Sequence, residues 1–314
     1  MIRVTVQGIN NETTPAFHYA IAGQPVVVQH KVDALDEYSK GAASAEFARL
    51  LAKHRQIKIL SASNSELRYH ASTPLAGGSH RLRYWRKGRR GQIDIDGSPS
   101  CYIDFKDQHI HVLNGGDLNV QLNLEVVIGP ALLVLMAYMS RYCLHASAVM
   151  TPVGTIAFLA ESGLGKSTLA ENQGNEWAQV SDDVLPIRVH QSVRVVEVRS
   201  DFPQLKLNGA SVPQGVPDAQ PLDYMIRLKP TPTKRIEFTK VSAKDRLIQV
   251  VRHTVAAKLY SRPIMQSHVS FARKVSLYVP MAELEYPRDW AELPELRERI
   301  TEFCGEQRAA LKQT

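Results

Sequence analysis

The sequence predicts an α/β protein of two domains, a smaller strand-rich α+β one over residues 1–124 and a phosphate-loop one with a mixed sheet over 125–314. Three observations lead there. A chain of 314 residues is long for one compact domain. Its first 120 residues hold short β-branched and alternating runs. Further on, a strand runs into a glycine-rich loop and then a helix.

Residues 1–8 read as a strand, with no charged leader before an apolar stretch, so no secretion signal is expected. Residues 25–30 form a β-branched run, and 42–54 have helical spacing through Phe47, Leu50 and Leu51. Residues 81–85 and 92–97 alternate about a basic, glycine-containing turn at 87–91, which is the hairpin pattern. The apolar run 126–139 contains Gly129-Pro130 and falls short of the roughly twenty residues a membrane span needs. It reads as a buried helix over about 130–141 with Pro130 in its first turn, and no membrane partner is expected. Residues 144–150 and 155–159 are strands joined by a turn at 151–154. From 208 to 232 the prolines indicate loop, whereas 244–260 and 293–311 look helical.

The segment Ala160-Glu161-Ser162-Gly163-Leu164-Gly165-Lys166-Ser167-Thr168-Leu169 is the P-loop pattern, with alanine in place of the first glycine. Gly163 and Gly165 let the backbone curl so that successive N–H groups face one anion. A helix from Lys166 to about Asn172 adds its positive end to the same point. Lys166, expected in a solvent-accessible cradle, reaches the β- and γ-phosphates, and the Ser167 hydroxyl can bind Mg²⁺. Residues 161–168 are therefore the candidate nucleotide site, with ATP and Mg²⁺ as its expected cofactors.

Next comes Val180-Ser181-Asp182-Asp183-Val184. Phosphoryl transfer needs one carboxylate for Mg²⁺ and another to take the hydroxyl proton. Consecutive strand residues face opposite ways, so both aspartates reach one site only if the chain leaves strand geometry there.

Together, Leu144-His145-Ala146-Ser147-Ala148-Val149, the strand, the P-loop and Ser181-Asp182-Asp183 resemble the kinase domain of HPr kinase/phosphorylase, a PEP-carboxykinase-like fold. They are most similar to the shorter HPr-kinase-like proteins encoded beside peptide-modification genes, including lasso-peptide precursor kinases. The resemblance is specific over 144–184, weaker over 125–210, and elsewhere one of layout alone. It implies a bacterial kinase acting on a serine hydroxyl of a peptide or small protein. Carried over by position, it makes Lys166 the phosphate lysine, Ser167 and Asp183 Mg²⁺ ligands, and Asp182 the general base. His145 would lie near the γ-phosphate; a hydrogen-bonded core histidine is the other reading. One departure stands out. The family's glutamate-isoleucine-arginine-glycine stretch is matched only by Glu197-Val198-Arg199-Ser200, which lacks the glycine and sits closer to the aspartates than expected. That puts phosphorolysis in doubt and leaves kinase activity standing. The segment 201–207 is similar to a proline-then-basic stretch of the shorter members.

A net charge of +7 favours an anionic partner. The cluster Arg81, Arg83, Arg86, Lys87, Arg89 and Arg90, with Tyr84 and Trp85 between, fits an acidic peptide, a stacked nucleic acid or a solvated hairpin tip, nucleic acid being the less favoured partner. Arg252, His253 and Lys258 give a second cationic face. The three cysteines have no metal spacing and the histidines no His-x-x-x-His, so no zinc site is expected and a cytoplasmic location is. Homo-oligomers, a kinase of free serine or a sugar, and a non-catalytic nucleotide sensor stay open.

Overall fold

A computed structural model describes residues 1–6, 16–28, 31–42, 68–75, 79–113, 117–118, 120–171, 176–203, 215–233 and 235–311. Residues 43–54 of the expected helix, the ends of the runs 1–8 and 25–30, and residues 204–207 lie outside them. Among the described residues the strands form two nine-stranded sheets, both mixed, in two compact units.

The first unit holds Met1–Ser140 and Ala256–Met265, running past the expected 124. Its strands are β1 (Ile2–Val6), β2 (Phe17–Ile21), β3 (Gln24–Val28), β4 (Ser39–Ala42), β5 (Arg68–Leu75), β6 (His80–Lys87), β7 (Arg90–Ile95), β8 (Ser98–Asp104) and β9 (His109–Val112). They lie in the order β4-β2-β3-β1-β9-β8-β7-β6-β5, with β1 parallel to both neighbours. Period-two burial shows in β1, where Ile2, Val4 and Val6 are buried between Arg3 and Thr5. The basic hairpin is β6–β7, closed more tightly than expected by Gly88-Arg89, with Gly88 at φ +54°.

The expected helix over 130–141 begins earlier and is broken. Here α1 (Gln121–Val126) meets a widened turn at Val127–Ala131, where Gly129 is non-helical, and α2 (Leu132–Tyr138) follows. Pro130 sits within the helical path, where its missing N–H and ring force the kink rather than opening a helix. The segment Gln121–Tyr138 is long and apolar enough to cross a membrane, yet 61% of it is buried inside the protein, and residues 132–137 are buried without a break.

The second unit holds Arg141–Gln204, Val212–Val255 and Gln266–Thr314. Its strands are β10 (Tyr142–Thr151), β11 (Gly154–Leu159), β12 (Ala178–Ser181), β13 (Val184–His190), β14 (Val195–Arg199), β15 (Ala219–Pro221), β16 (Tyr224–Thr231), β17 (Glu237–Lys240) and β18 (Met281–Pro287). The order is β15-β14-β13-β10-β11-β16-β18-β17, with β12 also on β10. Strands β11, β16 and β18 are parallel, so their carboxyl ends share one edge. Ligands of open α/β sheets bind at such an edge.

The loop expected over 208–232 is corrected by β15 and β16. The interior of β16, Tyr224 to Leu228, is buried except for half-exposed Arg227, and the strand pairs on both sides. Its helices are α3 (Lys166–Ala170), α4 (Ala243–Arg252), α5 (Arg262–Tyr278, from Gln266 onward in this unit) and α6 (Leu293–Leu311). Ser242 caps α4 by accepting the Asp245 N–H at 3.2 Å. The expected helix over 244–260 stops at Arg252 because Thr254 and Val255 turn away to bridge Leu144 and donate to the Cys143 carbonyl. The expectation over 293–311 matches α6, whereas α5 was missed.

One face of the sheet is closed by α6. Val149, Ile156, Phe158, Ile226, Leu284 and Tyr286 meet Leu293, Leu296 and Ile300 there, and Phe158 stacks on Trp177 at 6.0 Å. Phe158→Ala deletes a fully buried ring at the centre of that layer and should cost about 3–5 kcal/mol, read as a lower denaturant midpoint at unchanged slope. Val193→Ser, at a position 65% exposed, should stay within about 0.5 kcal/mol of the parent.

Candidate active site

The chain leaves β11 at Leu159 and turns through residues 160–165 into α3, at the shared carboxyl edge. Gly163 and Gly165 have φ of +79° and +89°, the left-handed region that side chains resist. Such alternating backbone makes an anion-binding concavity. Helix α3 ends at Ala170, shorter than expected; Asn172 lies outside the described residues. Glu161, Ser162, Gly163 and Ser167 are exposed, while Leu164, Gly165 and Thr168 are half-buried.

Lys166 departs from expectation. It is 6% exposed rather than solvent-accessible, because the loop wraps its stem. Its ammonium donates to the Ala160 carbonyl at 2.8 Å and the Glu161 carbonyl at 3.2 Å, and lies 3.3 Å from His145 Nε2. The other ring nitrogen, Nδ1, is 3.0 Å from Asp183 Oδ1. Both contacts are met when Nδ1–H donates to the carboxylate and Nε2 accepts from the lysine. His145 thus links the loop lysine to the aspartate pair.

The strand register explains this convergence. The antiparallel hairpin β10–β11 pairs Ala146 with Leu159, so the start of β10 lies against the end of β11. On the other edge of β10, Ser181 pairs with Ala148 and Val184 with His145, and residues 182–183 bend between. Asp182 and Asp183 therefore sit where the strand is interrupted, the geometry both carboxylates need to serve one site. Ala146 N–H donates to the Asp183 carbonyl at 3.2 Å. Buried Ser147 donates to the Asp182 carbonyl at 2.5 Å and lies 3.3 Å from its Oδ1.

Several residues outside the motifs join them. The His145 N–H donates to the His253 carbonyl at 2.6 Å, tying the end of α4 to β10. Arg252 pairs with Glu161 of the loop. From the other flank, Tyr286 donates to the Leu164 carbonyl at 2.7 Å and Arg288 to the Gly163 carbonyl at 2.8 Å. The cationic spacing of Arg252 and His253 had a sequence signal; Tyr286 and Arg288 had none.

The stretch Glu197–Arg199 lies elsewhere. Glu197 pairs across the sheet with Arg188, five residues along β13 from Asp183, which is roughly 16 Å. It binds His190 at 3.0 Å, and Arg199 forks onto Asp201 at 2.9 and 2.8 Å. In the first unit, Arg81, Arg83, Lys87, Arg89 and Arg90 are exposed. Arg86 instead lies over Phe105 at 4.7 Å and donates to Ser261 at 2.5 Å. Tyr84 is fully buried and Trp85 donates to Asp94 at 2.5 Å, so these rings are held by the protein rather than offered for stacking. Among the described residues no group of three or more His, Cys, Asp or Glu could hold a metal by itself.

No family model and no curated protein matches this sequence. Among solved structures, the HPr(Ser) kinase/phosphatase from Coxiella burnetii is similar at a TM-score of 0.30 and 13% identity, over 54% of this chain and 98% of that one.

Burial, with the nearby positive charge of Lys166, Arg252 and Arg227, pushes His253 down to about 4. Burial alone does the same to His268, whose Nε2–H donates to Thr254 at 2.8 Å. Each gains a proton below about 6.5 when unfolded but only near 4 when folded, so between those values protons favour unfolding. The denaturation midpoint should fall as pH drops from 6.5 to 4, less steeply in His268→Gln. A level midpoint over that range would contradict this account.

Proposed function

We propose that the chain is an ATP-dependent kinase that transfers the γ-phosphoryl group to a serine hydroxyl of a peptide or small protein. The reading is supported above all by the hydrogen-bonded row Lys166–His145–Asp183, set between a glycine-turned phosphate loop and a second carboxylate, Asp182. Binding a nucleotide needs the loop and the lysine. A carboxylate pair held beside them by a strand break is what proton removal adds.

The Lys166 ammonium meets three described acceptors, of which His145 at 3.3 Å is the most distant, so a phosphate oxygen would take that place. Released from that contact, the ammonium turns toward the transferred charge while the two loop carbonyls keep its stem in place. The donor set fits Mg²⁺ over softer metals, since Ser167 offers an exposed hydroxyl and Asp183 a carboxylate, and phosphate oxygens and water complete such sites. Held by Ser167 and Asp183, Mg²⁺ would offset negative charge on the β- and γ-phosphates. Asp183 already accepts from His145, whereas the described contact of the Asp182 carboxylate is the longer one to Ser147, which leaves it the better placed to take the hydroxyl proton.

The exposed arginines of the β6–β7 hairpin suit an acidic peptide, and the resemblance of residues 144–184 is to kinases of protein or peptide serines. Arg86 is left out of that surface because it is already held.

Asp182→Asn should lower turnover by about a hundredfold or more with little change in MgADP affinity, while Asp183→Asn should weaken MgADP binding as well. The reverse pattern in calorimetry and kinetics would exchange their roles, and negligible effects of both would remove the pair from the site. Replacing Arg83, Arg89 and Arg90 together by glutamine should raise KM for the peptide acceptor and flatten its salt dependence, leaving KM for ATP unchanged. Radiolabel transfer from ATP identifies the acceptor, with peptides encoded beside the gene, free serine and sugars compared in parallel. Label on a small metabolite alone would end the peptide reading, and tight ATP binding without transfer would leave a nucleotide sensor.

A further inference from the structure

Two residues of the β18 edge hold carbonyls of the phosphate loop. Tyr286, second to last in β18, donates its hydroxyl to the Leu164 carbonyl, and Arg288, just beyond, donates to the Gly163 carbonyl. In a trans peptide the C=O and N–H point in opposite directions. Fixing those two oxygens toward β18 therefore turns the N–H groups of Leu164 and Gly165 the other way. The Leu164 N–H closes a long turn onto the Glu161 carbonyl at 3.4 Å. The Gly165 N–H is thereby directed away from Tyr286, at the start of α3.

The fit extends to Gly165 itself. A Cβ there would lie 2.9 Å from the Tyr286 hydroxyl, and the residue has φ +89°. So glycine is required twice over, once by backbone conformation and once by the tyrosine. The phenol is 6% exposed, and burial raises its pKa against the opposing charge of Arg288, so it remains a proton donor at neutral pH. Without these donors nothing described keeps the two carbonyls turned outward. A rotated peptide would present its oxygen, a negative dipole end, where phosphate must approach.

We propose that Tyr286 and Arg288 are positioning residues that hold the 163–165 peptides in the orientation that binds phosphate. The inference rests on the reading of the loop as a nucleotide site, and it adds that this site's affinity is set from a strand two places away from β11. The anion it governs is the phosphate chain, not the base or sugar.

The test is calorimetric binding of MgADP and, separately, of inorganic pyrophosphate to full-length Tyr286→Phe, Arg288→Gln and Arg288→Lys. Losing one such hydrogen bond should weaken both ligands by a similar factor, about five- to tenfold, in the first two variants. Arg288→Lys, which keeps a donor, should recover most of the loss. The melting temperature without ligand should fall by a few degrees at most. A lower melting temperature with both affinities unchanged would make the contacts structural only and overturn the proposal. Weakened MgADP with unchanged pyrophosphate would overturn it too, by moving the effect off the phosphates. A parent protein that binds neither ligand would instead sink the nucleotide-site reading, and the proposal with it.

Discussion

Lys166 carries a charge at a depth where only 6% of the residue meets solvent, and a cation taken out of water must be met by lone pairs at hydrogen-bonding distance. The second unit supplies them from three directions. Two carbonyls come from the turn that leaves β11, and the third acceptor is His145 on the neighbouring strand. The offset of β10 against β11, set by their antiparallel pairing from Ala146–Leu159 to Thr151–Gly154, brings His145 beside the loop. The lysine's demand also gives His145 a reason to hold Asp183, since a carboxylate on Nδ1 keeps the proton there and a lone pair facing the lysine.

Much of this was legible because it is local. The P-loop announces itself by glycines at positions that need φ above zero, and the aspartate pair by its place just after the loop. The β6–β7 hairpin and α6 follow from alternation and helical period over short stretches. Failures cluster where the deciding partner is distant in sequence. The prolines around β16 outvote its apolar interior in any local reading, yet β11 and β18 flank it and make it a central strand. Residues 253–255 could continue α4, but pairing with β10 captures their backbone. The depth of Lys166 was hidden too, since a motif states which atoms a lysine reaches and not how its stem is covered. Tyr286 and Arg288 lie more than a hundred residues from the loop they touch, in a segment with no motif.

The first unit shows the same division between pattern and partner. Six basic residues in one hairpin read as a single cationic surface, but the fold sorts them. Arg86 spends its charge on Ser261 and the Phe105 ring, and Tyr84 turns inward. What remains outward is arginine and lysine without the aromatic faces that base stacking requires. The sequence left an acidic peptide, a stacked nucleic acid and a solvated tip open, and the two aromatic rings that stacking would use are held by the protein.

Across the aspartate pair the register along β10 is continuous, with Ser181 opposite Ala148 and Val184 opposite His145, and it shifts by one residue just beyond, between Ala148 and Val149. The two aspartates are thus spacers as well as chemical groups, filling a gap whose length is already dictated on both sides. Dropping or adding one residue there, if no bulge absorbed it, would carry Leu185 and Ile187 to the opposite face of the sheet. A change in chain length here would disturb the strand as well as the carboxylates.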